Sequence, residues 1–242
     1  MSLVFDRPQL FDKLTGILEK QSEISNDLFK NKIIPFDTSK FPLALNEYYN
    51  NYKEFSLEIG SGWGEFTLAN AQKNSEVLTI ALEKKKPRIL RSVKNQIKKE
   101  IENVRWMIID ISWYFEGIFS AEQFDSIIIN FPDPWPKAKH HKHRFLKPDM
   151  VAELSKISKP GALLQYGTDY WPYMESGLTL LENSGYWENT FSPLTVRRSI
   201  PDRPVSFFQR IKKEEGENVY FACLKRSNKK HMADDVPATP LS

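Results

Sequence analysis

Residues Leu57-Glu58-Ile59-Gly60-Ser61-Gly62-Trp63-Gly64-Glu65-Phe66 carry an apolar run into a loop with glycine at every second position. Such a run predicts a strand, a sharp turn and a helix, because glycine reaches positive φ at no steric cost and lets backbone lie close to a ligand. The helix that opens near Gly64 presents unpaired N–H groups at the same place. A dinucleotide-binding loop reads G-x-G-x-x-G, and its last glycine lets the helix pack closely beneath a pyrophosphate. That position is Glu65 here, so the dinucleotide reading fails.

Around the loop, apolar spacing alternates between strand and helix periods. It predicts strands at 55–59, 77–82, 103–109, 124–130 and 162–168, and helices at 64–73, 87–99, 112–119, 148–157 and 172–184. Segments 187–191 and 218–224 flank a Pro/Arg-rich loop and are expected to pair as an antiparallel edge hairpin. The fold class expected is α/β: a Rossmann-like, mostly parallel seven-stranded sheet with helices on both faces. Residues 1–50 read as an N-terminal extension with a weak helix from Pro8 to Gln21, residues 51–226 as the main domain, and 227–242 as a disordered tail.

Composition narrows the setting. An apolar share of 40% and an aromatic share of 13% describe a globular chain, and no run approaches the length of a membrane span. The first 21 residues contain acids and no export-type apolar core. The single Cys223 cannot form an internal disulfide, and its apolar surroundings mark it as a strand residue. A cytoplasmic monomer without membrane or obligate protein partner is expected.

Ligands of open α/β sheets bind beyond the carboxyl ends of the strands. Five successive strand ends deliver the glycine loop, Glu83, Asp110, Asn130 to Asp133, and Asp169. Glu58 before Gly60, Gly62 and Gly64 resembles motif I of the Rossmann-like S-adenosylmethionine methyltransferases. Glu83 is placed to accept both ribose hydroxyls of such a cofactor. Asp110 either faces the adenine amino group or caps the following helix. Glu58 either meets the cofactor's ammonium or orients the loop.

Two stretches are strongly basic. Residues 84–99 hold eight Lys or Arg and no acid, and residues 137–147 hold five further Lys or Arg with three histidines. Both are candidate polyanion surfaces, with a solvated helix face as the alternative for the first. His140, His141 and His143 stand too close on one loop for a tetrahedral metal site, and no metal is expected.

Strand four ends in Asn130-Phe131-Pro132-Asp133-Pro134-Trp135-Pro136-Lys137-Ala138-Lys139-His140-His141-Lys142-His143-Arg144. With motif I, this loop resembles that of the bacterial tRNA (guanine-N7-)-methyltransferases, over roughly residues 55 to 225. The resemblance implies methyl transfer from S-adenosylmethionine to N7 of guanine 46 in the tRNA variable loop, leaving S-adenosylhomocysteine. It implies cofactor contacts at Glu58, Gly60, Gly62, Gly64, Glu83, Asp110 and Asp133, with Asp133 also the active-site residue. It implies substrate contacts at Lys137, Lys139, Arg144, Asp169, Ser206 and Gln209. The family usually carries Thr-x-x-Glu where this chain has Ser206 and Gln209, and arginine is common where Lys139 and His143 stand; amide and lysine lose charge or bidentate geometry there. Trp135 offers either a stacking face for a displaced base or a core contact. Two other readings stay open on the sequence: a methyltransferase of this fold acting on a small molecule or protein, and a non-catalytic RNA-binding relative.

Overall fold

The computed structural model describes residues 27–111 and 115–229. Among these residues, seven strands form one sheet: β1 (Glu54–Ile59), β2 (Val77–Glu83), β3 (Val104–Ile108), β4 (Phe124–Asn130), β5 (Ser158–Thr168), β6 (Trp187–Asn189) and β7 (Tyr220–Arg226). The main helices that connect them are α1 (Glu65–Lys73), α2 (Lys86–Lys98), α3 (Pro148–Ile157), α4 (Trp171–Asn183) and α5 (Phe207–Glu214). The strand order is β3-β2-β1-β4-β5-β7-β6. The first five strands pair in parallel, and β7 runs antiparallel to both β5 and β6.

Alternation along the central strands fills two cores. Leu57, Ile80, Met107 and Ile127 point to one face, while Ala81, Trp106 and Ile108 point to the other, against Leu68, Ile89 and Val93 of α1 and α2. Both faces of β1 and β2 are covered, so the polar Ser56, Glu58 and Thr79 are buried along with the apolar residues beside them. Prolines at the first turns of α2, α3 and α4 mark helix starts where a missing N–H costs no bond. The buried Trp106 indole donates to Gln96 of α2 at 2.7 Å, fixing helix to strand.

Residues before β1 close the β3 edge. Ile34 N donates to Trp106 O at 2.8 Å and Trp106 N to Lys32 O at 2.9 Å, while Ile34, Phe36, Leu43 and Leu45 enter the main core. This covers an edge that would otherwise offer unpaired backbone groups. The weak helix expected at 8–21 and the tail from 230 onward lie outside the described residues. No helix among the described residues is long and apolar enough to cross a membrane.

The expected antiparallel pair at the sheet edge forms, with β7 against β5 and β6 outermost; its long connection contains α5, which the sequence pattern left as loop. Two expectations need correction. Residues 115–119 are irregular rather than helical, turning at Gly117 (φ +75°), and residues 112–114 lie outside the described set. Phe115, Ile118 and Phe119 gave the segment helix-like spacing but are buried individually in the core. Strand β5 starts at Ser158, four residues early, because a register shift opposite Phe124 and Ser126 accommodates Pro160 and Gly161.

Candidate active site

The glycine loop hangs from its neighbour strand. Gly60 N and Ser61 N both donate to Leu82 O at 2.9 Å, which stops β1 and turns the chain over the end of β2. Gly60, Gly62 and Gly64 adopt φ of +76°, +58° and +72°. A Cβ added at Gly60 or Gly62 would meet nothing within 4 Å, so backbone borders open cleft there. At Gly64, the left-handed N-cap of α1, it would lie 2.5 Å from Ser92 Oγ and 2.6 Å from Trp106 Cη2. The glycines therefore serve two ends: two leave space for a ligand, and one lets α1 pack on α2.

Two adjoining cavities of about 230 and 200 Å³ run over the ends of β1, β2 and β4 and share Gly60, Arg88, Asn130 and Phe131. Glu58, Ser61, Trp63 and Ser206 line the first; Glu83, Asp110, Pro132 and Asp133 line the second. The predicted groups at the ends of β1 to β4 thus border two cavities that share a wall.

Glu83 is buried, and its carboxylate accepts from Gly62 N at 3.1 Å, Lys85 N at 2.9 Å and Arg88 Nη1 at 3.2 Å. A carboxylate has about four acceptor sites, so one remains for a hydroxyl where the sequence suggested two. Asp110 is half-exposed and pairs with Lys84 at 3.7 Å, facing the cleft from the next strand.

Glu58 is buried and accepts from Thr67 Oγ1 at 2.6 Å and Asn130 Nδ2 at 3.3 Å. Burial pushes its carboxyl up to about 7 from the ordinary 4.5, against the lowering pull of those two donors and of Arg203. Arg203 lies between the rings of Phe66 and Phe221, 4.4 and 4.7 Å from their centres, and burial lowers its guanidinium to about 10. It donates to Asn130 Oδ1, to Gln165 Oε1 at 3.1 Å and to Gln209 Oε1 at 3.4 Å. With an amide at Gln209, the carboxylate that offsets this buried cation is Glu58.

Ser206 caps α5, its Oγ accepting from Gln209 N at 3.1 Å, and it also lines the cleft. Gln209 is buried and reaches the site through Arg203. Asp169 lines neither cavity and sits at the end of β5, paired with Lys212 at 3.6 Å.

The basic loop has a rigid base. Phe131 (φ +48°) donates its N–H to Gly167 O at 2.7 Å, and its ring packs on Phe208 and Phe221. Asp133 is exposed at the cleft rim, and Lys137 and Lys139 are exposed beyond it. Trp135 is half-buried, with the rings of His140 and His143 at 5.7 and 5.2 Å, which gives those histidines a packing role. Arg144 departs from its expected phosphate contact. It is buried, donates to Pro134 O at 2.9 Å and Ser176 Oγ at 3.2 Å, and lies over Tyr173. Its guanidinium turns inward to a carbonyl and a hydroxyl, so it braces the loop.

Arg88, Trp63 and Ser61, which no motif gave a role, also line the cavities, and Arg203 reaches them through Asn130. Arg88 and Arg91 lie 5.5 and 4.9 Å from the Trp63 ring centre, so α2 grips the tip of the glycine loop. Buried Ser61 Oγ has no hydrogen-bond partner among the described residues. An orphaned hydroxyl beside glycines that face open space, with carboxylates at the next two strand ends, fits a nucleoside-type ligand carrying hydroxyl and amino groups. Asn130 and Arg203 were legible as the residues flanking the Phe-Pro-Asp-Pro and Pro-Val-Ser stretches; nothing in the sequence marked Ser61.

A family model described as a putative methyltransferase matches residues 53–224. A tRNA (guanine-N(7)-)-methyltransferase of Leptospira interrogans is 32% identical over 198 residues, covering 78% of this chain and 89% of its own. One of Nitrosomonas europaea is 36% identical over 169 residues, covering 69% and 74%. Among solved structures, an antibiotic-related methyltransferase superposes with TM-score 0.55 at 19% identity, covering 75% of this chain and 91% of its own. The 16S rRNA methyltransferase KamB superposes with TM-score 0.56 at 14% identity, covering 76% and 92%. The fold is that of these methyltransferases.

Proposed function

The chain belongs to the tRNA (guanine-N7-)-methyltransferase family, and we propose that it moves a methyl group from S-adenosylmethionine to N7 of guanine 46 in the tRNA variable loop. The observation that carries this reading is the pair of adjoining cavities at the strand ends, one lined by the glycine loop and Glu58, the other by Glu83, Asp110 and Asp133, with Gly60 common to both.

Bound there, S-adenosylmethionine supplies a methyl group made electrophilic by its sulfonium. In this reading Glu83 accepts one ribose hydroxyl, Asp110 faces the adenine, and Ser61 gains a partner. Glu58, offset by Arg203 through Asn130, faces the amino-acid end. The glycine loop keeps Cβ atoms out of the ligand's space, and Phe131, Phe207 and Phe208 give the first cavity an apolar side.

Guanine N7 offers a lone pair and carries no proton, so the residues need to position rather than deprotonate. Holding the nucleophile in line with the transferred methyl can lower the barrier by about 7–11 kcal/mol. Asp133 at the rim accepts from the N1–H and exocyclic amine of the guanine, and its charge favours the cation that grows on the ring. Asp169, kept in place by Lys212, shares that task. Lys137 and Lys139 meet phosphates.

The test is transfer from labelled S-adenosylmethionine to unmodified tRNA, followed by strand scission at N7-methylguanosine. Label at guanine 46 alone is expected. Label at another guanine would reject the position, label on a small molecule or protein would reject the substrate, and cofactor binding without transfer would point to a non-catalytic relative.

A further inference from the structure

Antiparallel β7 brings its first residue to the same sheet edge as the carboxyl end of β5, with Tyr220 in register opposite Thr168. The segment arriving from β6 is tied down at this point: Arg197 and Phe221 exchange two backbone hydrogen bonds of 2.8 Å. The next residue, Arg198, is thereby set over the face of Tyr220, its guanidinium carbon 4.2 Å from the ring centre. On Tyr220 also rests Trp171, with ring centroids 5.0 Å apart.

Trp171 is 42% exposed, although it opens α4 and is followed by Pro172, which fixes the backbone beside it. A tryptophan can bury on the order of 150–250 Å², so leaving about two fifths of Trp171 in water forgoes part of that apolar gain. Among the described residues its ring partner is Tyr220. Asp169, two residues earlier, holds Lys212 at 3.6 Å. One patch therefore carries a supported flat ring, a guanidinium already stacked in place, and the acid read above as a guanine contact.

We infer that Trp171, Tyr220 and Arg198 form a platform for one unpaired nucleotide of the tRNA beside the target guanine, its base stacked on Trp171 and its phosphate on Arg198. This rests on the tRNA reading. A nucleotide fits because every base has a π-face, and stacking on an aromatic side chain tolerates sequence. The guanidinium is preorganised by Tyr220, so less freedom is lost when it meets phosphate.

The test compares wild type with Trp171→Phe, Trp171→Leu and Arg198→Ala, measuring binding of unmodified tRNA, KM and kcat for tRNA, and affinity for S-adenosylmethionine. Trp171→Leu is expected to weaken tRNA binding about tenfold, Trp171→Phe to retain most of it, and both to keep kcat at saturating tRNA and cofactor affinity. Arg198→Ala should lower the slope of log affinity against log salt by about one, with Trp171→Leu leaving the slope unchanged. Wild-type tRNA affinity in Trp171→Leu overturns the platform, as do equal losses in the Leu and Phe variants with a lowered melting temperature. Trp171-dependent tRNA binding without any methyl transfer would keep the platform and reject the N7 reading. Transfer at guanine 46 with Trp171-independent binding would reject the platform alone.

Discussion

Alanine at each of the three loop glycines should separate folding from ligand binding. All three positions have positive φ, and placing a Cβ in that region costs about 1–2 kcal/mol. At Gly60 and Gly62 nothing lies within 4 Å of the added atom, so that cost is the whole of it. At Gly64 the new Cβ also falls 2.5 Å from Ser92 Oγ, 2.6 Å from Trp106 Cη2 and 2.8 Å from Ser92 Cβ, against ordinary contacts of about 3.5–4.0 Å. Ser92 and Trp106 are both at 0% exposure and have no room to withdraw. Overpacking of this kind adds about 1–3 kcal/mol, for a total near 2–5 kcal/mol. At about 2–4 °C per kcal/mol for a chain of this size, Gly64→Ala should melt roughly 4–20 °C below wild type, and the other two about 2–8 °C below. Calorimetric titration with S-adenosylmethionine should show the opposite ranking: Gly60→Ala and Gly62→Ala fold but lose affinity, because their methyl groups occupy the ligand's space. A Gly64→Ala melting curve that overlays that of Gly60→Ala, or a Gly60→Ala protein with wild-type affinity, would refute the division of labour among these glycines.

Glu58→Gln should change how stability depends on pH. The folded carboxyl holds its proton up to about 7 while the unfolded one releases it near 4.5, so wild-type stability is complete below 4.5 and falls as pH rises through 7. The gap of about 2.5 at about 1.4 kcal/mol each gives roughly 3 kcal/mol. Urea unfolding should show Gln gaining about that much relative to Glu between pH 4.5 and 8, and a constant difference would remove the buried titration. Asp133→Ala should lower kcat/KM by about 10²–10³ with an unchanged melting temperature, since the side chain is exposed; transfer at the wild-type rate would take Asp133 out of the mechanism. Lys137→Ala with Lys139→Ala should reduce the salt slope of tRNA binding by about two. Arg144→Ala should instead leave that slope alone while costing about 1–3 kcal/mol of stability from the orphaned Pro134 carbonyl. A reduced slope in Arg144→Ala would return that residue to the phosphate surface.

The strand ends were legible because burial on both faces leaves a continuous apolar run, and the polar residue that ends it stands out. Hence β4 and α3 fall at their predicted bounds, and Glu83, Asp110 and Asp133 come together on one cleft. Helix α5 was hidden for a physical reason: it is short, rich in lysine, and keeps Phe207 and Phe208 exposed, so its apolar residues trace no buried stripe. Arg144 misled in the opposite direction, since a cation within a basic loop gives no sign that its donors turn inward to a carbonyl and a serine. The Arg203–Asn130–Glu58 chain joins residues 73 and 72 positions apart, and no local pattern carries such a pairing.

Strand β7 also joins parts of the fold that lie far apart in the sequence. The five parallel strands and the glycine loop are complete by residue 168, yet β6 has β7 as its partner and the anchor for Arg197 is Phe221. The ring that supports Arg203 on one side and the Tyr220 surface both belong to β7, so the Arg203 contact and the surface beside the end of β5 depend on that one strand.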